Sequence, residues 1–175
     1  LYNLYNLKSS NVNSVYNYSL MKKYKIKYVV NCTHNPFDDF KLYKLYKSSK
    51  LDNSVKKNKS PFTIIQYPSS DPHTKKDIEF IKDTINEMLL RLDNYMEKGE
   101  NVLIFCHKGR HRSVALCILY LMYKYDIDYI RSYKIMKQIY NNIFSHVGLS
   151  TIKLLEYYSN DRGLLRYSNY NEYHI

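Results

Sequence analysis

Cys106 and Arg112 stand six positions apart in Phe105-Cys106-His107-Lys108-Gly109-Arg110-His111-Arg112-Ser113, with Gly109 midway and Ser113 directly after the arginine. A thiol beside cations and a helix N-terminus is acidified, and the resulting thiolate is a strong nucleophile. A guanidinium presents a planar fork to two phosphoryl oxygens and stabilises charge that builds up on them. Glycine lets the backbone approach an anion closely, and the N–H groups of a loop that opens a helix form an anion cradle. The Ser113 hydroxyl is placed to hydrogen-bond the Cys106 sulfur and ease its departure in a second step. Together these residue types suit attack of Cys106 on the phosphorus of a phosphate ester. A cysteine behind a strand is ordinarily a small buried hydrophobe; here glycine, arginine and serine at the following fixed offsets favour the chemical reading.

Attack on an ester also requires an acid for the leaving oxygen. Asp71, within Pro68-Ser69-Ser70-Asp71-Pro72-His73, is the candidate, because loops that leave neighbouring strands collect at one edge of an α/β sheet. Asp77 is the alternative, although it would open the following helix, where a carboxylate suits the dipole. His107, Lys108, Arg110 and His111 complete the loop, and their cationic character either faces solvent or meets further negative charge on a substrate.

The elements that must position this loop are legible around it. Val102-Leu103-Ile104-Phe105 is a continuous apolar run, expected to be a central strand covered on both faces and to deliver Cys106 to the sheet edge. Val114 to Met122, apolar all round, predicts a helix packed deep in the domain. Lys27 to Cys32 reads as a buried strand closed by the turn Thr33-His34-Asn35-Pro36, and Phe62 to Tyr67 as another. Between Lys75 and Lys98 the apolar positions Ile78, Ile81, Ile85, Met88, Leu89, Leu92 and Met96 trace one helical face, stopped by Gly99. Tyr129 to Tyr140 predicts a second amphipathic helix with Ile130, Tyr133, Ile135, Met136 and Ile139 inward, and Ser150 to Tyr158 a third, with Ser150 as N-cap and Ile152, Leu154 and Leu155 inward.

Residues 1–20 suggest a short edge element followed by a loop or helix start, and Phe40 to Lys59 a solvated, variable loop or short surface helix, with a partner-binding basic patch as the alternative. Strands interleaved with helices, then helices alone, indicate an α/β sheet wrapped by helices. A chain of 175 residues suits one domain, with a core over about 24–158 and peripheral segments at 1–20 and 160–175.

The formal net charge of +11 favours anionic partners without choosing among them. The 21 tyrosines accompany abundant Asn and Lys, a bias that an AT-rich genome would also produce, so they carry no binding argument. Three cysteines, Cys32, Cys106 and Cys117, fit neither a disulfide scaffold nor a zinc site and point to a reducing, cytoplasmic setting. Cys117 reads as core; Cys32, ending a strand near the loop, is a candidate resolving thiol for Cys106. No run of roughly 18 apolar residues predicts a membrane span, and no signal-peptide pattern appears at the N-terminus. Because the chain begins at Leu1, an upstream segment with targeting information stays open.

Cys106 to Ser113 matches Cys-x-x-Gly-x-x-Arg-Ser/Thr and so resembles the signature of cysteine-dependent protein tyrosine phosphatases. The order of elements and the Pro68-x-x-Asp71 loop resemble the small dual-specificity class, including the versions carried by large DNA viruses. That resemblance, from about Tyr24 to Tyr158, implies a central mixed, mostly parallel β-sheet flanked by helices. It also implies a phosphocysteine on Cys106, protonation of the leaving group and activation of water by Asp71, and phosphoryl oxygens held by Arg112 and the loop amides. No metal or other cofactor is implied, and the expected partners are phosphoserine-, phosphothreonine- and phosphotyrosine-containing proteins. In viral relatives of this kind, association with the virion is a further expectation, and a homodimer through the N-terminal segment is compatible with the pattern.

The chain departs from the family at Phe105, where histidine usually precedes the cysteine and tunes it. It departs again in the basic stretch from His107 to His111, which is similar to loops of enzymes acting on phosphoinositides, inositol polyphosphates or RNA 5′-triphosphates. Two alternatives to a protein phosphatase therefore stand: a phosphatase for a polyanionic non-protein substrate, and a pseudophosphatase that binds phosphoproteins without turnover.

Overall fold

Alternation along one apolar strand organises the molecule. The computed structural model describes residues 7–35, 62–68 and 75–140. Within them, strands β1 (Leu7–Asn11), β2 (Ile26–Asn31), β3 (Thr63–Gln66) and β4 (Asn101–Cys106) form one sheet in the order β1-β4-β2-β3. Every pairing among these strands is parallel. β4 therefore has neighbours on both sides, and its side chains feed two cores in turn. Val102, Ile104 and Cys106 face one, Leu103 and Phe105 the other, as the period of two in a pleated strand demands. The expectation of a central strand covered on both faces holds.

The helices are α1 (Val12–Val15), α2 (Tyr18–Lys23), α3 (Lys75–Glu97), α4 (Arg112–Tyr125) and α5 (Tyr129–Ile139). The larger core joins Val102, Ile104 and Cys106 to Ile85, Met88, Leu89, Leu92 and Met96 of α3, to Val114–Met122 of α4 except Ala115, and to Met136 of α5. The smaller core holds Leu103 and Phe105 against Val15 of α1, Met21 of α2, Ile26, Val29 and Phe62. The N-terminal segment is thus an edge element, β1, followed by short helices that close the second face. Lys27 marks a register shift between Ile26 and Tyr28, which lets Ile26 and Val29 share the smaller core although an odd number of steps separates them.

Helix α3 ends as its glycine predicts. Gly99 adopts φ +70, its N–H donates to Met96 O and that of Glu100 to Tyr95 O, the paired bonds of a Schellman turn. Packing of α3 on α4 is reinforced by Tyr120, whose hydroxyl donates to Asp93 Oδ1 at 2.9 Å, and by Lys124, which bridges Asp93 at 2.7 Å and Glu97 at 3.0 Å.

α5 corrects the reading of its apolar face. Met136 is buried and Tyr133 and Ile135 pack against the larger core, but Ile130 and Ile139 are 54% and 58% exposed. Ser132 takes the inward position instead, fully buried with its hydroxyl donating to Asp128 O at 2.9 Å. Counting apolar residues missed it, since a small side chain that satisfies its own hydroxyl lets a helix approach closely. Ile130, two residues away, is carried to the far side of the helix, and Ile139 is its last residue. The expected surface segment at Phe40–Lys59 and the helix at Ser150–Tyr158 lie outside the described residues.

Candidate active site

Strand β4 ends at Cys106 and helix α4 begins at Arg112, so the loop between them is anchored by one core through both flanks. Cys106 is only 3% exposed. The Ser113 hydroxyl, fully buried in the first turn of α4, donates to Cys106 Sγ at 3.3 Å. Burial is the largest single influence on the thiol and pushes it up. The Ser113 hydroxyl and the backbone amides of Ser113, His111 and Gly109 act against it and prevail, leaving the thiol below its ordinary value. Gly109 reaches the sulfur with φ +69, a backbone conformation that L side chains rarely adopt, and the residue is buried. The convergence of three amides, one hydroxyl and a helix N-terminus on one sulfur is an arrangement that can stabilise a thiolate and hold an anion above it.

The remaining loop side chains divide by orientation. His107, Lys108 and Arg110 are exposed, whereas His111 and Arg112 are half-buried. Phe105 faces away from the thiol into the smaller core beside Val15, Met21, Val29 and Leu103. The plane of the sheet thus separates the Phe105 side chain from the thiol.

Arg112 is tied to the neighbouring strand exit: its Nη1 donates to the Cys32 carbonyl at 3.3 Å, and the Cys32 N–H donates to Phe105 O at 2.8 Å. Around Cys32 lies a polar network absent from the sequence reading. Asn31 is 1% exposed; its Nδ2 donates to Asn35 O at 3.0 Å and to Gln66 Oε1 at 2.8 Å. Its Oδ1 accepts from the Thr33 N–H at 2.9 Å and from the Thr33 hydroxyl at 2.7 Å. Gln66 closes the ring by donating from Nε2 to Thr33 O at 2.5 Å. The available signal was an amide side chain ending each of two apolar strands that prove to be paired in register, Asn31 with Gln66.

Asp71 lies outside the described residues. Asp77 falls within α3, as expected of the alternative. Cys32 and Cys117 are both wholly buried in the larger core with Cys106. Burial, and then the charge on Cys106, push the Cys117 thiol up, which makes it unreactive. Among the described residues no three His, Cys, Asp or Glu side chains gather as a metal site would require, and no helix is long and apolar enough to cross a membrane.

The chain has relatives among known proteins. The Acanthamoeba polyphaga mimivirus protein named "Putative tyrosine-protein phosphatase R622" is 28% identical over 137 residues, spanning 68% of this chain and 65% of that protein. Human dual specificity protein phosphatase 7 is 28% identical over 127 residues, 73% of this chain but 26% of that protein. The chain thus spans less than two thirds of the length of either relative. The crystal structure of human DUSP28 superposes with a TM-score of 0.68 over 90% of this chain and 94% of that one, at 12% identity, so the fold is shared where the sequence has diverged. The family model "Dual specificity phosphatase, catalytic domain" matches residues 9–160, a span that contains both strand exits and the whole thiol loop. By that match the chain belongs to the dual specificity phosphatase catalytic-domain family.

Proposed function

We propose that this chain hydrolyses phosphoserine, phosphothreonine and phosphotyrosine in proteins through a phosphocysteine intermediate. The observation that carries the reading is the set of donors on Cys106 Sγ, from Ser113 and the amides of Gly109, His111 and Ser113, which holds the thiol below its ordinary value. In the first step the Cys106 thiolate attacks phosphorus, the ester P–O bond breaks, and Asp71 gives a proton to the departing oxygen. Arg112 and the loop amides hold the phosphoryl oxygens as charge spreads over them. In the second step Asp71 takes a proton from water, which attacks phosphorus. The Cys106 sulfur leaves as thiolate, accepting the Ser113 hydrogen bond that eases its departure. Family membership and the phosphatase names of the relatives support this reaction class.

A second reading is favoured by one observation. Lys108 and Arg110 are exposed on the same short loop and no acidic side chain among the described residues forms an ion pair with them, so a substrate with several phosphates would meet uncompensated positive charge. Phosphate release from phosphotyrosyl and phosphothreonyl peptides, a phosphoinositide panel and triphosphorylated RNA separates the readings. We expect release from the peptides, complete loss in Cys106→Ser, and a large loss on alkyl phosphates in Asp71→Ala. Preference for the lipids or RNA selects the polyanion reading. Binding of phosphopeptides without release from any substrate selects a pseudophosphatase.

A further inference from the structure

We infer that Asn31 is a positioning residue that aims Arg112 by fixing the carbonyl of Cys32, an inference that rests on the phosphatase reading above. The amide side chain of Asn31 has two acceptor and two donor positions, and all four are occupied inside the protein. Such complete satisfaction of a nearly inaccessible group leaves it no low-energy alternative, because each lost partner would strand a buried polar atom. The bond from the Thr33 N–H back to Asn31 Oδ1 spans residue 32 and closes an Asx turn around it.

Cys32 is thereby held at both of its peptide groups. On one side its N–H donates to Phe105 O, the residue before the nucleophile; on the other its carbonyl accepts from Arg112 Nη1. Asn35 and Gln66 extend the constraint to the loop beyond and to β3, the adjacent strand. Strand alternation, with Asn31 in register with Phe105, puts the Asn31 side chain on the sheet face opposite Cys106. It therefore acts on the guanidinium only through the backbone of residue 32. A guanidinium that must meet two oxygens of a phosphoryl group as a fork is sensitive to such aim, since errors of about 1 Å cost on the order of 100-fold in rate.

The test compares the wild type with Asn31→Ala, with Gln66→Ala at an exposed position, and with Met136→Ala on α5 as a core variant outside the loop and the Asn31 network. Each is assayed well below its own melting temperature for kcat and KM on an aryl phosphate and for tungstate affinity. A crystal structure of Asn31→Ala accompanies them. We expect Asn31→Ala to weaken tungstate binding about tenfold and to lower kcat/KM on the order of 100-fold. Gln66→Ala should fall between it and the wild type, and Met136→Ala should lose thermal stability alone. The variant crystal structure should show the Cys32 carbonyl turned and the Arg112 bond to it gone.

Unchanged kcat/KM and tungstate affinity in Asn31→Ala, or an Arg112–Cys32 bond retained in its crystal structure, overturns the inference. Losses no greater than those of Met136→Ala overturn it equally. A wild type that neither binds tungstate nor releases phosphate instead defeats the phosphatase reading, and the variant structure alone then decides the role of Asn31.

Discussion

Strands β4 and β2 run side by side and end beside each other, yet they hold their exits by different means. At the end of β4, backbone amides of Gly109, His111 and Ser113 do the holding, and one hydroxyl joins them. At the end of β2, side-chain amides do it, with Asn31 and Gln66 tying down Thr33 and Asn35. Under the proposed function, the difference follows from what each exit would have to bind. An anion that comes and goes needs donors that are fixed by the chain itself and cost no rotamer entropy. A support that is never released can instead be built from a closed ring of side chains, provided every polar atom in it is paired.

Three substitutions probe this division. Arg112→Lys keeps the charge but removes the fork that joins the two exits, so kcat/KM should fall on the order of 100-fold or more. Retention of near wild-type kcat/KM in steady-state assays would mean that the bond to Cys32 organises nothing at the phosphate.

Ser113→Ala removes the leading group among those that lower the Cys106 thiol while leaving the loop amides in place. The thiolate is the reactive form, so a raised thiol moves the acid limb of the pH–rate profile to higher pH. Loss of a hydrogen bond to a charged sulfur, about 1.5 kcal/mol, corresponds to roughly a tenfold drop in kcat. An acid limb that stays in place would assign the lowering to the amides and the helix terminus alone.

The smallest effect on chemistry is expected from Phe105→His. This installs the residue usual in the family, but on the face that meets Val15, Met21, Val29 and Leu103. Burying an imidazole there should cost about 2 kcal/mol of unfolding free energy in urea titrations. The acid limb of the rate profile should move less than in Ser113→Ala. A large shift of that limb would place residue 105 in electrical contact with the thiol and erase the distinction between the two faces of β4.

How far the sequence could be read depended on the kind of signal. β4 was legible because a run of only four apolar residues, too short for a helix, is typical of a strand covered on both sides, and Gly99 because its positive φ is a glycine conformation. α5 was misread at Ile130 and Ile139, because periodicity counts apolar side chains and cannot see a serine that satisfies itself within the helix. The Cys106–Ser113 hydrogen bond was legible because the spacing is local: both residues belong to one strand-loop-helix unit. The bond from Arg112 to Cys32 joins residues 80 positions apart and had no local sign.

By itself, then, the sequence determined which groups the proposed chemistry can draw on, since a thiol, a glycine, an arginine and a serine lie within eight consecutive residues whose geometry a strand and a helix impose. Only the tertiary structure decided what stands behind that loop. Parallel pairing of β2 with both β4 and β3 brings Asn31, Cys32 and Gln66 together at one edge. The same sheet sends Phe105 and Cys106 into different cores. Register between strands distant in sequence sets both outcomes, and register is a property of the assembled sheet rather than of any one segment.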